Sequence, residues 1–392
     1  MFSKPKLNIV FAVVGFFIFS FLFIQLSVGI ISLADIIKFE FSNKETLKIN
    51  ASLINPAVKT LAADPANKLI MKVEVRDSEG FPVPKANISL SLEGQPVFSG
   101  NFGKLSHTKF RTDENGEFLF TYVPPELGKD LLANKQPNIE ITAKIDNTNI
   151  KASQTVKLVK PPVVFLHGYQ AYAAVFENFG EFLKAKGFAY SALDYKSSNG
   201  VIEAAEKLDE FLQKQKMIYL SKGFQVDKFD LVAHSMGGLV ARYYTCSERY
   251  IANSNVRKII FISVPQKGSP WASVGATYFN DQGIRDLVPE NFLLSKALPS
   301  MINKGLNSSI QTGSILGQYD EVVSPESASL EEWNIKTDLF SLGDNNLNFD
   351  NLLKGNFNES TNHMSILSNK KVFEMVERML YDNLPYPIIK KK

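Results

Sequence analysis

The sequence predicts an α/β domain with a mostly parallel sheet, preceded by a smaller all-β sandwich and an N-terminal apolar helix. Three observations predict it. Strand-like and helix-like segments alternate regularly from Pro161 onward. Short segments of period two, separated by turn signals, fill residues 67–158. Residues 9–31 carry no charge at all. A length of 392 residues exceeds what one domain usually needs.

The apolar segment comes first. About 20 apolar residues span a bilayer as a helix. Lys4 and Lys6 precede the run, which places the N-terminus in the cytoplasm and the remainder outside. A signal peptide has an apolar core of roughly 7–15 residues. The run 9–31 is longer, so an uncleaved single-pass anchor is the expectation, with the rest of the chain extracytoplasmic. Cleavage after Ser32-Leu33-Ala34 would make the protein secreted instead. Residues 1–34 form this segment, and 35–65 are expected as a linker.

Residues 66–159 change character. "LIMKVEVRD" (69–77), "ANISLSLEG" (86–94), "GEFLFTYVPP" (116–125) and "NIEITAKID" (138–146) are short and partly alternating. Phe118, Phe120 and Tyr122 share one face; so do Ile139, Ile141, Ala143 and Ile145. The turn signals "DSEGFPVP", "DENG" and "PPELGKD" lie between them. Such spacing argues a β-sandwich. The stretch resembles the immunoglobulin-like repeats of bacterial surface proteins, without a Cys-Trp-Cys core.

Residues 160–392 form the α/β domain. "PPVVFLHG" is a continuous apolar run, as expected of a strand covered on both faces. A helix is expected at 172–186, a strand at 188–194, a long amphipathic helix at 200–222 and a strand at 229–233. A helix at 236–247 and strands at 258–265, 313–317 and 338–342 follow, with a closing helix at 369–381. In such a sheet ligands bind at the carboxyl ends of the strands. Those ends carry His167-Gly168, His234-Ser235 and, just beyond 313–317, Asp320.

Composition excludes some classes. A net charge of +3 with no basic block argues against nucleic acid. The single cysteine, Cys246, cannot form an intramolecular disulfide, and its place on a helix reads as core.

A serine hydroxyl becomes a nucleophile when a histidine takes its proton and a carboxylate orients that histidine. It must also project from a tight strand-to-helix turn with small neighbours. Ala233-His234-Ser235-Met236-Gly237 has that form, with alanine at the first small position and Gly238 adding room. The helix that follows directs its positive end at the serine.

"PPVVFLHGY", "FDLVAHSMGGLVARYY", "ISVPQKGSPWA", "GQYDEVVSP" and "NHMSIL" together resemble the α/β-hydrolase lipases and esterases of bacteria, triacylglycerol lipases among them. The resemblance covers about residues 160–385 in collinear order. It implies Ser235 as nucleophile, Asp320 as acid and His363 as base, in this fold's usual chain order. The backbone amides of Met236 and Tyr169 would hold the oxyanion, with Gln170 second to Tyr169. His167, Gly168, His234 and Gly237 would shape the elbow and the oxyanion loop. Asp320 has rivals in the adjacent Glu321 and in Asp338 and Asp344.

Residues 271–311 interrupt the sheet and carry Trp271, Tyr278, Phe279, Phe292, Leu293 and Leu294. "IRDLVPENFLL" resembles the cap of larger lipases. An apolar cap suits an acyl chain and excludes water. The expected activity is hydrolysis of carboxylic (lipid) esters through an acyl-enzyme, without metal or cofactor. The same triad also serves acyltransferases, thioesterases and phospholipases. A catalytically inactive surface binding protein is the alternative from another class.

Overall fold

Three sheets organise the chain, described by a computed structural model over residues 36–42, 47–53, 58–95, 102–126, 128, 137–341 and 363–390. The first two sheets share one core. β1 (Ile36–Ser42), β2 (Leu47–Leu53), β4 (Leu69–Asp77), β8 (Glu117–Val123) and β6 (Lys104–Leu105) follow each other in a five-stranded sheet. The second, six-stranded, contains β3 (Thr60–Ala62), β10 (Lys151–Val159), β9 (Asn138–Ile145), β5 (Asn87–Gln95) and β7 (Lys109–Arg111). Met71, Val73, Phe120 and Tyr122 from one sheet meet Leu90, Ile139, Ile141 and Val156 from the other. Alternation explains it: β4 buries every second residue over its first seven and leaves the rest half-covered. The four strands expected here lie within two residues of their observed ends.

The linker expectation for 35–65 needs correction. β1, β2 and β3 all fall within it. β3 escapes notice because three residues hold no period. The sixth strand of the second sheet is a further departure. β13 (Phe224–Gln225), from the α/β region, pairs in parallel with β3. Asn67 ties the same seam: its Oδ1 accepts the Asp227 amide at 2.8 Å and its Nδ2 donates to Ala62 at 3.0 Å. Ala62 and Ala63 pack into the two hydrophobic clusters of the α/β region. Pairing and packing therefore cross the boundary expected at 159/160. The anchor expected at 9–31 lies outside the described residues. Among the described residues no helix is long and apolar enough to cross a membrane.

The third sheet has the order β12 (Tyr190–Leu193), β11 (Val163–Leu166), β14 (Phe229–His234), β15 (Val256–Ile262), β16 (Gln311–Gly317), β17 (Asp338–Phe340), all parallel. Every residue of β11, β14, β15 and β16 is buried. Along β11, Val164 and Leu166 enter one core while Val163 and Phe165 enter the other. α1 (Glu177–Ala185) and α4 (Lys370–Tyr381) cover the second face; α2 (Val201–Ser221) and α3 (Met236–Thr245) cover the first. Asn369 caps α4 by accepting the Lys371 amide at 2.9 Å. One buried ion pair lies inside this sheet. Arg257 donates through Nε to Asp230 Oδ1 at 2.8 Å, and through Nη2 to Asp230 Oδ2.

The insertion expected as a cap is helical but broken. It holds short helices at Pro270–Gly275 and Gln282–Asp286, followed by a π-turn at Leu293–Ala297. Leu293 and Leu298 join the core, whereas Trp271, Tyr278 and Phe292 stay exposed.

Candidate active site

Ser235 stands between β14 and α3 with φ 51° and ψ −127°. This region is sparsely populated for a residue with a side chain, and holding it costs about 1–3 kcal/mol. Burial on both sides holds it there: the Ser235 amide donates to Ile262 at 3.1 Å, and the Gly238 amide returns to the Ser235 carbonyl at 2.9 Å. The turn also needs missing side chains. A Cβ on Gly237 would lie 2.5 Å from the Leu166 carbonyl oxygen, and one on Gly168 would lie 2.9 Å from Ser235 Cβ. The alanine at position 233 sits within β14 and is fully buried.

Residues far apart in the chain converge on this turn. Ser235 Oγ donates to His363 Nε2 at 2.9 Å. His363 Nδ1 donates to Asp320 Oδ2 at 3.0 Å and lies 3.1 Å from Oδ1. Asp320 follows β16, and its Oδ1 also accepts the Val322 and Val323 amides at 2.9 and 2.8 Å. Burial pushes the Asp320 carboxyl up. The hydrogen bond and charge of His363, with help from Ser263 and the Val323 amide, outweigh it and hold the carboxyl below the usual carboxylate range. Ser235 and His363 are 5% and 7% exposed, so the chain of hydrogen bonds is largely shielded from water.

Of the rivals to Asp320, Asp338 opens β17 instead of ending it, and Asp344 lies outside the described residues. Glu321 is adjacent but takes a different partner: its Oε2 accepts the His363 main-chain amide at 3.1 Å.

The two amides expected to hold the oxyanion belong to Met236, next to Ser235 in the chain, and Tyr169, next to Gly168. Met236 is the first residue of α3, and the first amides of a helix have no intrahelical acceptor. The Tyr169 amide has no acceptor among the described residues, whereas that of Gln170 is taken by Ser197 Oγ at 2.9 Å. The two loop amides therefore differ in whether they are already engaged. The loop is shaped by His167, whose Nδ1 donates to Gly168 at 2.9 Å while Nε2 accepts from the Tyr195 amide at 3.3 Å. Its ring stacks on Tyr195 at 4.1 Å. Burial lowers its affinity for a second proton. His234 donates through Nε2 to the His363 carbonyl at 2.8 Å. Burial, with the neighbouring His363, pushes its imidazole down to about 3.

The insertion is fastened to the same loop. Tyr169 Oη donates to Asp281 Oδ2 at 2.6 Å, and burial with that carboxylate raises the phenol to about 12. Asp286 Oδ2 accepts the Val201 amide at 2.7 Å and so caps α2 from the insertion. Sequence reading missed both contacts. Asp281 carries a local signal, since it also caps its own short helix; Asp286 carries none. Cys246 is buried and its thiol is pushed up to about 11, which leaves it a core residue. No group of histidine, cysteine or carboxylate side chains suited to a metal occurs among the described residues.

Six parallel strands, helices on both faces and a serine at a strained strand-to-helix turn define an α/β-hydrolase-like fold. Residues 160–346 match the family model described as PGAP1-like alpha/beta domain. The lecithin-cholesterol acyltransferase-like 4 of Arabidopsis thaliana is 30% identical over 110 residues, 28% of this chain and 19% of that protein. The chain thus spans about a fifth of the length of this curated relative. The mature lipase BlEst2 of Bacillus licheniformis is 16% identical over 57% of this chain and 93% of its own, with a TM-score of 0.43. An Exiguobacterium antarcticum esterase is 18% identical over 57% and 93%, with a TM-score of 0.40.

Proposed function

We propose that the chain is a serine hydrolase that cleaves carboxylic esters, with lipid esters as the substrate class. The observation that carries this reading is the continuous hydrogen-bond chain Ser235–His363–Asp320 beneath a serine in strained geometry. His363 Nε2 takes the Ser235 proton as Oγ attacks the ester carbonyl. The Met236 and Tyr169 amides stabilise the oxyanion. The tetrahedral adduct expels the alcohol, which leaves with the proton from His363. Water then gives a proton to His363 and attacks the acyl-enzyme, and His363 passes that proton to Ser235 Oγ as the acid leaves. No step in this scheme calls on a metal or cofactor.

Turnover of p-nitrophenyl esters by the purified 392-residue chain tests the reading. Ser235→Ala should lower kcat by roughly 10⁴-fold or more; activity surviving that change overturns it. A series of acyl lengths would then locate the preferred chain. A second reading, acyl transfer to another alcohol, is favoured by the segment shared with the acyltransferase-like relative. Product analysis with a competing alcohol separates the two. In our reading residues 9–31 anchor the chain in the membrane, and the immunoglobulin-like β region sets the position of the site relative to it.

A further inference from the structure

We propose that His234 and Glu321 are positioning residues that clamp the main chain of His363 from both sides. The proposal rests on the triad reading above. His363 precedes the short 3₁₀ turn Ser365–Ser368 and belongs to no helix or strand, so no ladder or helix bond aligns it. Its main-chain donor and acceptor still need partners in a shielded site. Side chains supply both. Glu321 Oε2 accepts its N–H at 3.1 Å, and His234 Nε2 donates to its C=O at 2.8 Å. The His234 and His363 rings lie 4.6 Å apart at 44°, so the clamp also bears on the imidazole itself.

The two clamping residues flank the other two members of the triad. His234 immediately precedes Ser235, and Glu321 immediately follows Asp320. The base is therefore indexed to the nucleophile's strand end and to the acid's turn at the same time. All four polar groups of His363 are engaged: Nε2 by Ser235, Nδ1 by Asp320, C=O by His234 and N–H by Glu321.

The chemistry of His234 fits this use. A carbonyl only accepts, so the ring proton must sit on Nε2. Nδ1 is then an acceptor, buried and without a partner among the described residues. An apolar side chain at this position would avoid that orphan nitrogen but would leave the His363 carbonyl unbonded.

Kinetics of the 392-residue chain on p-nitrophenyl esters test the clamp, with thermal melting as a check on folding. Glu321→Ala should lower kcat about 10-fold and His234→Phe about 10- to 100-fold, with KM within about twofold, because a displaced base loses the transition state and not the substrate. Glu321→Gln keeps an oxygen acceptor and should recover kcat to within about threefold of the parent. Phosphonylation of Ser235 by a fluorophosphonate should slow in the same order. Equal losses in Glu321→Gln and Glu321→Ala would make the effect one of charge and overturn the clamp, as would parental kcat in Glu321→Ala. Glu321 is exposed, so this pair decides the question even if His234→Phe does not fold. Ser235→Ala separates the failures. If it stays active, the triad reading falls; if it is inactive while Glu321→Ala is unimpaired, only the clamp falls.

Discussion

The β region and the α/β region bury their strands in opposite ways. β4 and β9 cover mainly alternate residues, so each keeps a less-buried face. β14, β15 and β16 are covered at every position. Charged groups in the β region accordingly pair near the surface, as Lys72 does with Glu74 at 2.5 Å and Glu117 at 3.0 Å. In the α/β region a polar residue finds room chiefly where a parallel strand ends. His167, Ser235 and Asp320 all stand at or just past such ends, on the adjacent strands β11 and β14 and on β16, one strand further across the sheet, past β15. A sheet covered on one side makes a wall, whereas a parallel sheet covered on both makes a floor with one open edge.

The sharpest test of that contrast is a pair of carboxylate changes. Asp320→Asn should lower kcat by about 10⁴-fold, because the imidazole loses its orienting charge. Glu74→Gln, in the β region, should leave ester turnover within about twofold of the parent. The same aspartate makes a pH prediction. Its folded pKa is depressed, so its stabilising contribution is fully present above the unfolded carboxylate value, about 3.9, and is lost as pH falls through the lower folded value. Melting curves of parent and Asp320→Asn should therefore begin to converge only as pH falls below about 4, and meet below the folded value.

Next in size is Arg257→Met. It strands the buried Asp230 carboxylate, whose pKa burial already pushes up, and should cost about 3–5 kcal/mol in denaturant unfolding. Gly168→Ala should lower kcat by about 10²-fold and also lower the melting temperature, since the new methyl presses on the buried Ser235. The smallest expected effect bears on the seam between the regions. Asn67→Ala removes hydrogen bonds to Asp227 and Ala62, and should cost about 1–3 kcal/mol while melting remains a single transition. Two separated transitions would show that the regions fold independently in spite of the β3–β13 pairing.

The sequence by itself determined the alternation of strands and helices after Pro161. Buried parallel strands leave uninterrupted apolar runs, and helices leave a 3.6-residue period. It also placed Ser235 at a turn, because a strained elbow demands small neighbours at fixed spacing. Ser235, Asp320 and His363 were legible through motif order, and the fold joins them within 3.1 Å.

Only the tertiary structure decided the rest. Nothing local reveals that Asn67 meets Asp227 across 160 residues, or that Tyr169 meets Asp281 across 112. Residues 36–62 read as linker from sequence, although three strands lie there: β3 is too short to show a period, and its parallel partner β13 lies far along the chain. Glu321 reads as a rival acid in the sequence, and only the fold shows it accepting the His363 amide. Periodicity reports what a segment buries along its own axis. Which distant group meets a given donor depends on how whole elements pack, and a linear pattern does not encode that geometry.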